Sequence, residues 1–305
     1  MSSSPRRFLI TGAAGQTGSV TTRLLLEHGH QVTALVRRVD DRATALADAG
    51  ADIVTGDLRD FRDVSRAMVG ADAVYFCYPV EAGLIESTVN VGQAAAEAGV
   101  QAVVNMSQVS ARRDAKSNAA QQHWIAERLL DRGPFGTTHL RPTFFAEWIT
   151  WGWLGTGDSG VIALPFGTGR HAPITGADQA RVIAAVLERP ESHDRQVYPL
   201  YGPVEMNHDE IAAAVSRVLD IEVRYEPLSI EAFQTGLLER GISQHLVQHL
   251  GNVATDYQNG VFAGTNNLVE TISGKAPMTV EEYVAANRPA FEVATGQFAV
   301  SVASA

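Results

Sequence analysis

Short runs of apolar and β-branched residues recur through the first half of the chain, separated by stretches of helical spacing. Residues 8–10, 31–36, 52–55, 73–77, 102–106 and 137–140 read as strands. Residues 20–28, 40–50, 60–68, 84–98 and 117–132 read as helices, several ended by glycine, with Asp60 placed to cap one of them. Such alternation predicts an α/β fold: a doubly wound parallel sheet covered by helices on both faces, with right-handed crossovers. Ligands of open sheets lie beyond the carboxyl ends of the strands. Interest therefore falls on the residues just after each strand: Gly12 to Gly18, Arg37 and Arg38, Asp57 and Leu58, Cys77, Tyr78 and Pro79, Ser107 to Val109, and Pro142 to Phe145.

From Trp148 the texture changes. Residues 151–157 and 166–170 are rich in glycine and aromatics and read as loops. They form either one wall of a substrate pocket or a surface whose tryptophans pack inward. Helices follow at 177–188, 207–219, 230–241, 244–258 and 280–291, with strands at 196–201 and 222–227. Residues 296–305 read as a loose tail. The expected organisation is a first domain over 1–150 and a smaller C-terminal α+β substrate lobe over 151–305, some of whose segments return to the first domain.

Composition adds exclusions. The 305 residues are 45% hydrophobic and 19% charged, ordinary for a globular protein. A formal net charge of −10 argues against nucleic acid or an anionic membrane as partner. No apolar run approaches the roughly 20 residues of a membrane helix, and no signal or transit segment fits before the first strand, so a cytoplasmic protein is expected. Cys77 is the one cysteine, which removes disulfides and cysteine-based zinc sites, and no metal is expected. Cys77 reads as a small buried residue.

The turn after the first strand carries the clearest chemistry. Gly12, Gly15 and Gly18 follow an apolar strand and lead into a helix. Free amides at a helix start attract a pyrophosphate, and glycine lets the backbone approach it. Arg37 and Arg38 end the second strand, where an acid would bind the ribose 2′-hydroxyl of NAD. Forked guanidinium donors suit the 2′-phosphate of NADP, so NADPH is expected in preference to NADH. The alternative is a solvated basic strand end.

The usual reductase pair, a tyrosine with a lysine four residues on, is missing after all seven tyrosines. At the corresponding helical position stand His123 and Glu127, four residues apart on one face. They are either a proton relay, with Glu127 holding His123, or a packing pair. Tyr78 and Ser107 are the other catalytic candidates, Tyr78 as a stacking residue and Ser107 as an acid–base group or a turn residue. A quinone needs chiefly a nicotinamide against its face, since the quinol oxygens take protons from water.

Thr11–Gly18 (TGAAGQTG), Leu35–Arg38 (LVRR), Gly56–Leu58 (GDL), His123–Glu127 (HWIAE), Leu140–Phe145 (LRPTFF) and Gly176–Ala180 (GADQA) together resemble the NmrA-like branch of the atypical short-chain dehydrogenase/reductases. The resemblance covers nearly the whole chain. It implies a Rossmann-type NADP-binding domain, with Gly12, Ala14, Gly15, Gln16, Thr17 and Gly18 at the pyrophosphate and Arg37 and Arg38 at the 2′-phosphate. Asp57 and Leu58 would flank the adenine. Cys77, Tyr78, Pro79 and Ser107, with Pro142 and Phe145, would lie toward the nicotinamide ribose. The family holds reductases of quinones and dyes, and proteins that bind NADP only to sense redox state. The expectation is a reductase of a small apolar or aromatic substrate, acting as monomer or homodimer, with a non-catalytic NADP(H) sensor as the alternative.

Overall fold

The computed structural model describes residues 5–155 and 157–300; the first four residues, Thr156 and the last five residues of the expected tail lie outside them. The contacts divide the chain into two compact units. The first takes in the chain to Asp114, with Gln121–Arg141 and Gly176–Pro199; the second takes in Ala115–Ala120, Pro142–Thr175 and the chain from Leu200 on.

In the first unit strand and helix alternate: β1 (Arg7–Ile10), α1 (Gln16–Glu27), β2 (Gln31–Val36), α2 (Asp41–Asp48), β3 (Asp52–Thr55), α3 (Phe61–Met68), β4 (Ala73–Phe76), α4 (Leu84–Ala98), β5 (Ala102–Met106), α5 (Asn118–Leu130) and β6 (Gly136–Pro142). The chain continues through α6 (Trp148–Trp151), β7 (Trp153–Gly155), β8 (Ser159–Leu164), α7 (Gly176–Glu188) and β9 (Gln196–Leu200). The parallel sheet runs β3-β2-β1-β4-β5-β6-β9. That is the doubly wound, Rossmann-type order, and it reverses direction between β1 and β4. β1 and β4 sit at the middle with Phe8, Leu9, Ile10, Val74, Tyr75 and Phe76 fully buried, which is why these strands read as continuous apolar runs. One face carries Val64, Met68, Val91, Val103 and Leu130 in a single core. Asp40 and Asp60 cap α2 and α3 through their side chains. Helix α1 starts at Gln16, four residues before the periodicity predicts, because Gly15 supplies the extended capping residue.

The second unit adds α8 (His208–Leu219), β10 (Glu222–Pro227), α9 (Ile230–Glu239), α10 (Gln244–Gln258), α11 (Leu268–Ser273) and α12 (Val280–Ala286). β8 pairs in parallel with β10 and antiparallel with β7. The stretch expected as a glycine-rich loop is therefore partly α6 and β7. Its aromatics pack inward: Trp148, Trp153 and Phe166 are all buried, while Trp151 is half-buried. Phe144 stands at the centre, 4.7–5.6 Å from the rings of Trp148, Phe166, Tyr257 and Phe262. The expected loose tail is also corrected up to Val300. Phe298 stacks on Trp148 at 5.1 Å, its amide donates to the Trp151 carbonyl, and Ala299 and Val300 are buried beside it. The apolar triplet 298–300 outweighs the small polar residues around it.

Within this aromatic core the Tyr257 hydroxyl lies 2.5 Å from His171 Nδ1 and 3.3 Å from His208 Nδ1. Burial holds both imidazoles neutral, His208 at about 3 and His171 well below its ordinary value. The unfolded chain takes up these protons near pH 6.5. Their contribution to stability is thus complete above pH 6.5 and is lost as pH falls toward the folded values. For His208 that loss amounts to about 2 kcal/mol by pH 5. Melting temperature measured from pH 8 to 4 should fall steadily below 6.5, and a flat profile to pH 4.5 would contradict the assignment of buried neutral imidazoles.

Candidate cofactor site

A cleft of about 710 Å³ opens at the carboxyl ends of β1 to β4, within the first unit. Four segments line it: Gly12–Gly15 after β1, Leu35–Arg38 with Asp40 and Arg42 after β2, Gly56–Arg59 after β3, and Cys77–Pro79 with Glu81 after β4. It lies where the sheet reverses direction, and its size is that of a small-molecule site.

The turn after β1 is built from backbone constraints. Gly12 adopts φ +59°, a conformation side chains resist, and faces Cys77, whose Cβ would stand 3.4 Å from a Cβ at this position. The Gly15 amide donates to the Gly12 carbonyl at 2.9 Å, which closes the turn. At Gly18, one turn into α1, a Cβ would come within 2.3 Å of that same carbonyl oxygen. The first and third glycines are thus required by the turn itself. Gly15 caps α1 with no side chain, so no side-chain acceptor at the cap takes up the first amides of the helix. Thr17 is turned inward, its hydroxyl 2.9 Å from the buried Tyr75 hydroxyl. Thr11 ties the neighbouring strand ends, donating to the Cys77 carbonyl at 3.1 Å and accepting from the Cys77 amide at 2.8 Å.

Four arginines line the cleft, and three meet a carboxylate that lines it too. Arg42 meets Asp40 at 2.7 Å, Arg59 meets Asp57 at 2.7 Å, and Arg37 meets Glu81 at 3.3 Å. Arg38 has no ion pair among the described residues. The hydrogen bond from Arg59 holds the Asp57 carboxyl below the usual carboxylate range. Arg42 also points back to the Ala14 carbonyl at 3.5 Å, linking the start of α2 to the glycine turn.

The structure thus gathers Gly12, Ala14, Gly15, Arg37, Arg38, Asp57, Leu58, Cys77, Tyr78 and Pro79 around one cleft. Gln16, Thr17, Gly18 and Ser107 belong to the first unit but do not line it, and Pro142 and Phe145 belong to the second unit. Arg42, Arg59, Asp40 and Glu81 line it as well, and no motif in the sequence marks them.

Three side chains bear on proton transfer. Ser107 is buried and donates its hydroxyl to Glu127 Oε1 at 2.6 Å. Glu127 also accepts two bonds from Arg141, at 2.8 and 2.5 Å, and one from Arg128 at 2.6 Å. Burial would raise its carboxyl, but the bonds from Arg141 and Ser107 prevail and hold it below the ordinary glutamate value. Glu127 is therefore the clamp of Ser107 and Arg141 rather than the holder of His123, because a guanidinium in bidentate contact outcompetes a neutral imidazole for a carboxylate. His123 is buried, its Nδ1 has no hydrogen-bond partner, and burial lowers it to about 4. The Tyr78 hydroxyl donates to the Ala82 carbonyl at 2.9 Å, and burial raises it above the ordinary phenol value. Cys77 is half-buried rather than buried as expected, because it lines the cleft; desolvation still raises its thiol, which keeps it protonated. Among the described residues no group of three or more metal-ligating side chains forms, and no helix is long and apolar enough to cross a membrane.

A family model described as the NmrA-like family matches residues 5–284. The chain belongs to the NmrA-like family. It is 27% identical to an NAD(P)H azoreductase of Xenophilus azovorans over 94% of this chain and 99% of that one. It is 26% identical to quinone oxidoreductase 2 of Escherichia coli over 90% and 96% of the two chains. A crystal structure of an NADPH-dependent quinone oxidoreductase from Escherichia coli, complexed with NADPH, superimposes with a TM-score of 0.79 at 25% identity, covering 92% and 99%.

The interlock at Gly18 generates a test. Gly18→Ala should cost about 1–3 kcal/mol in thermal unfolding and displace the turn, whereas Gly15→Ala, whose Cβ would stand 3.1 Å from the same oxygen, should cost less. Equal melting temperatures for Gly18→Ala and the parent would refute the interlock.

Proposed function

We propose that this member of the NmrA-like family is an NADPH-dependent reductase of a quinone or another aromatic, conjugated carbonyl compound. It is an NAD(P)-dependent oxidoreductase, like the full-length relatives named above. One observation carries the cofactor reading: the glycine turn and four arginines converge on a single cleft at the reversal point of the sheet.

The residues present fit a phosphorylated dinucleotide. The turn leaves no side chain between the backbone and a pyrophosphate at Gly12 and Gly15, and α1 begins there with amides free of a side-chain cap. Arg38, exposed and unpaired among the described residues, and Arg37 would hold the 2′-phosphate, with Arg42 beside them. Asp57 and Leu58 would meet the adenine. When bound, the reduced cofactor supplies a hydride to the acceptor.

The proton inventory favours a conjugated acceptor. The Ser107 proton is engaged by Glu127, and the Tyr78 proton by a backbone carbonyl. At about 4, the His123 imidazole is unprotonated at neutral pH and has no acidic proton to give. An acceptor whose reduced oxygens gain protons from water makes no demand on these groups. An isolated ketone, whose alkoxide must be protonated as it forms, would.

Purified protein should oxidise NADPH, followed by nicotinamide absorbance, in the presence of quinones or azo dyes but not simple aliphatic ketones. Tight NADPH binding with no turnover on any acceptor would replace the enzyme reading with that of a non-catalytic NADP(H) sensor. Changing Arg37 and Arg38 together to alanine should weaken NADPH by roughly 10- to 100-fold, the worth of one or two charged hydrogen bonds, and NADH far less. Equal loss for both cofactors would overturn the 2′-phosphate assignment.

A further inference from the structure

β2 ends in two arginines, and Asp40 beyond them is taken up by the cap of α2 and by Arg42, yet the fold brings another carboxylate to Arg37. Glu81, 44 residues from Arg37 in sequence, places Oε2 at 3.3 Å from Arg37 Nη1, and both side chains line the cleft. Its position is set by an ordered turn. The Glu81 amide donates to the Pro79 carbonyl at 2.7 Å, the Tyr78 hydroxyl donates to the Ala82 carbonyl at 2.9 Å, and Gly83 at φ +115° leads into α4.

The two possible occupants of a seat beside Arg37 make opposite demands. A 2′-phosphate carries between one and two negative charges at neutral pH and needs guanidinium donors. A carboxylate at the same guanidinium competes with it and repels it. A free 2′-hydroxyl is a donor and needs an acceptor, the role a carboxylate fills in NAD-binding sites. From this geometry we infer that Glu81 is a specificity-determining residue that tunes the protein between the two cofactors. It occupies Arg37 until a 2′-phosphate displaces it, and it accepts the 2′-hydroxyl when no phosphate is present. The inference rests on the proposed reading that the adenosine ribose lies beside Arg37 and Arg38. It goes beyond that reading by assigning NADH a binding group of its own.

The test titrates the full-length protein with NADPH and NADH, using tryptophan fluorescence or calorimetry. Adenosine 2′,5′-bisphosphate and AMP serve as probes without nicotinamide. Glu81→Ala should tighten NADPH by roughly 3- to 10-fold and weaken NADH by about 3-fold, the scale of an exposed ion pair and a single hydrogen bond. Glu81→Gln, which removes the charge and keeps an acceptor, should tighten NADPH while leaving NADH within about 2-fold. The bisphosphate and AMP should follow NADPH and NADH respectively. A purely structural role for Glu81 would move both cofactors in the same direction, and that result, or no change in either, would overturn the inference. Arg38→Ala, measured alongside, should weaken NADPH alone. If it does so while the Glu81 variants leave the NADPH-to-NADH ratio unchanged, only the role of Glu81 falls. If it affects both cofactors alike, the ribose seat itself is misassigned, and the inference falls with it.

Discussion

The carbonyl oxygen of Gly12 leaves no space on either side. Gly15 closes onto it with its amide, and Gly18 passes so close above it that no side chain fits between. This packing joins the end of β1 to the start of α1 without a side chain intervening. Around it, Thr11 bonds to both the amide and the carbonyl of Cys77, so the ends of β1 and β4 are held at the point where the sheet reverses direction. The cleft exists because these two fixings coincide: strands diverge there, and the helix that follows begins on bare backbone. Its polar lining is then hung on the ends of β2, β3 and β4, whose order is fixed by parallel pairing to a buried centre.

A second fixing holds the neighbouring strand ends. Glu127 is fully buried, and a buried carboxylate is tolerated only when its oxygens are fully used. Here Arg141, Arg128 and Ser107 supply four hydrogen bonds, and the three from Ser107 and Arg141 tie α5 to the ends of β5 and β6. Ser107 thereby spends its only proton. Its oxygen retains lone pairs, so toward anything else it is an acceptor. His123, one turn earlier on the same helix, is left buried and neutral, its Nδ1 without a hydrogen-bond partner.

How far the sequence speaks depends on the range of the interaction. Strands β2, β3 and β5, helix α4 and strand β10 have the bounds that apolar periodicity predicts, because each is fixed by local pattern and burial on known faces. Strands β7 and β8 are hidden in the sequence because their glycines mimic loop composition, and α6 because a four-residue turn shows no helical period; Gly160 is glycine because the Trp153 ring lies where its Cβ would be. The glycine turn and the arginine pair are legible because they are contiguous with a strand. Arg42, Arg59 and Glu81 are not, since each reaches the cleft from a following turn or helix, and chain distance carries no signal of that approach. The choice between His123 and Arg141 as partner of Glu127 likewise needs three dimensions. Helical spacing allows the first, and only the sheet brings in the second.

The pairing of the cleft's arginines has a kinetic consequence. The chain as a whole is acidic, at −10, and the cationic groups of the site are largely neutralised in place by Asp40, Asp57 and Glu81. Such a site projects little field beyond a Debye length, so anions are not drawn to it from a distance. Every phosphate-bearing metabolite then meets the cleft at much the same modest frequency. With the cleft as the proposed dinucleotide site, discrimination would fall to how long each ligand stays rather than to how often it arrives.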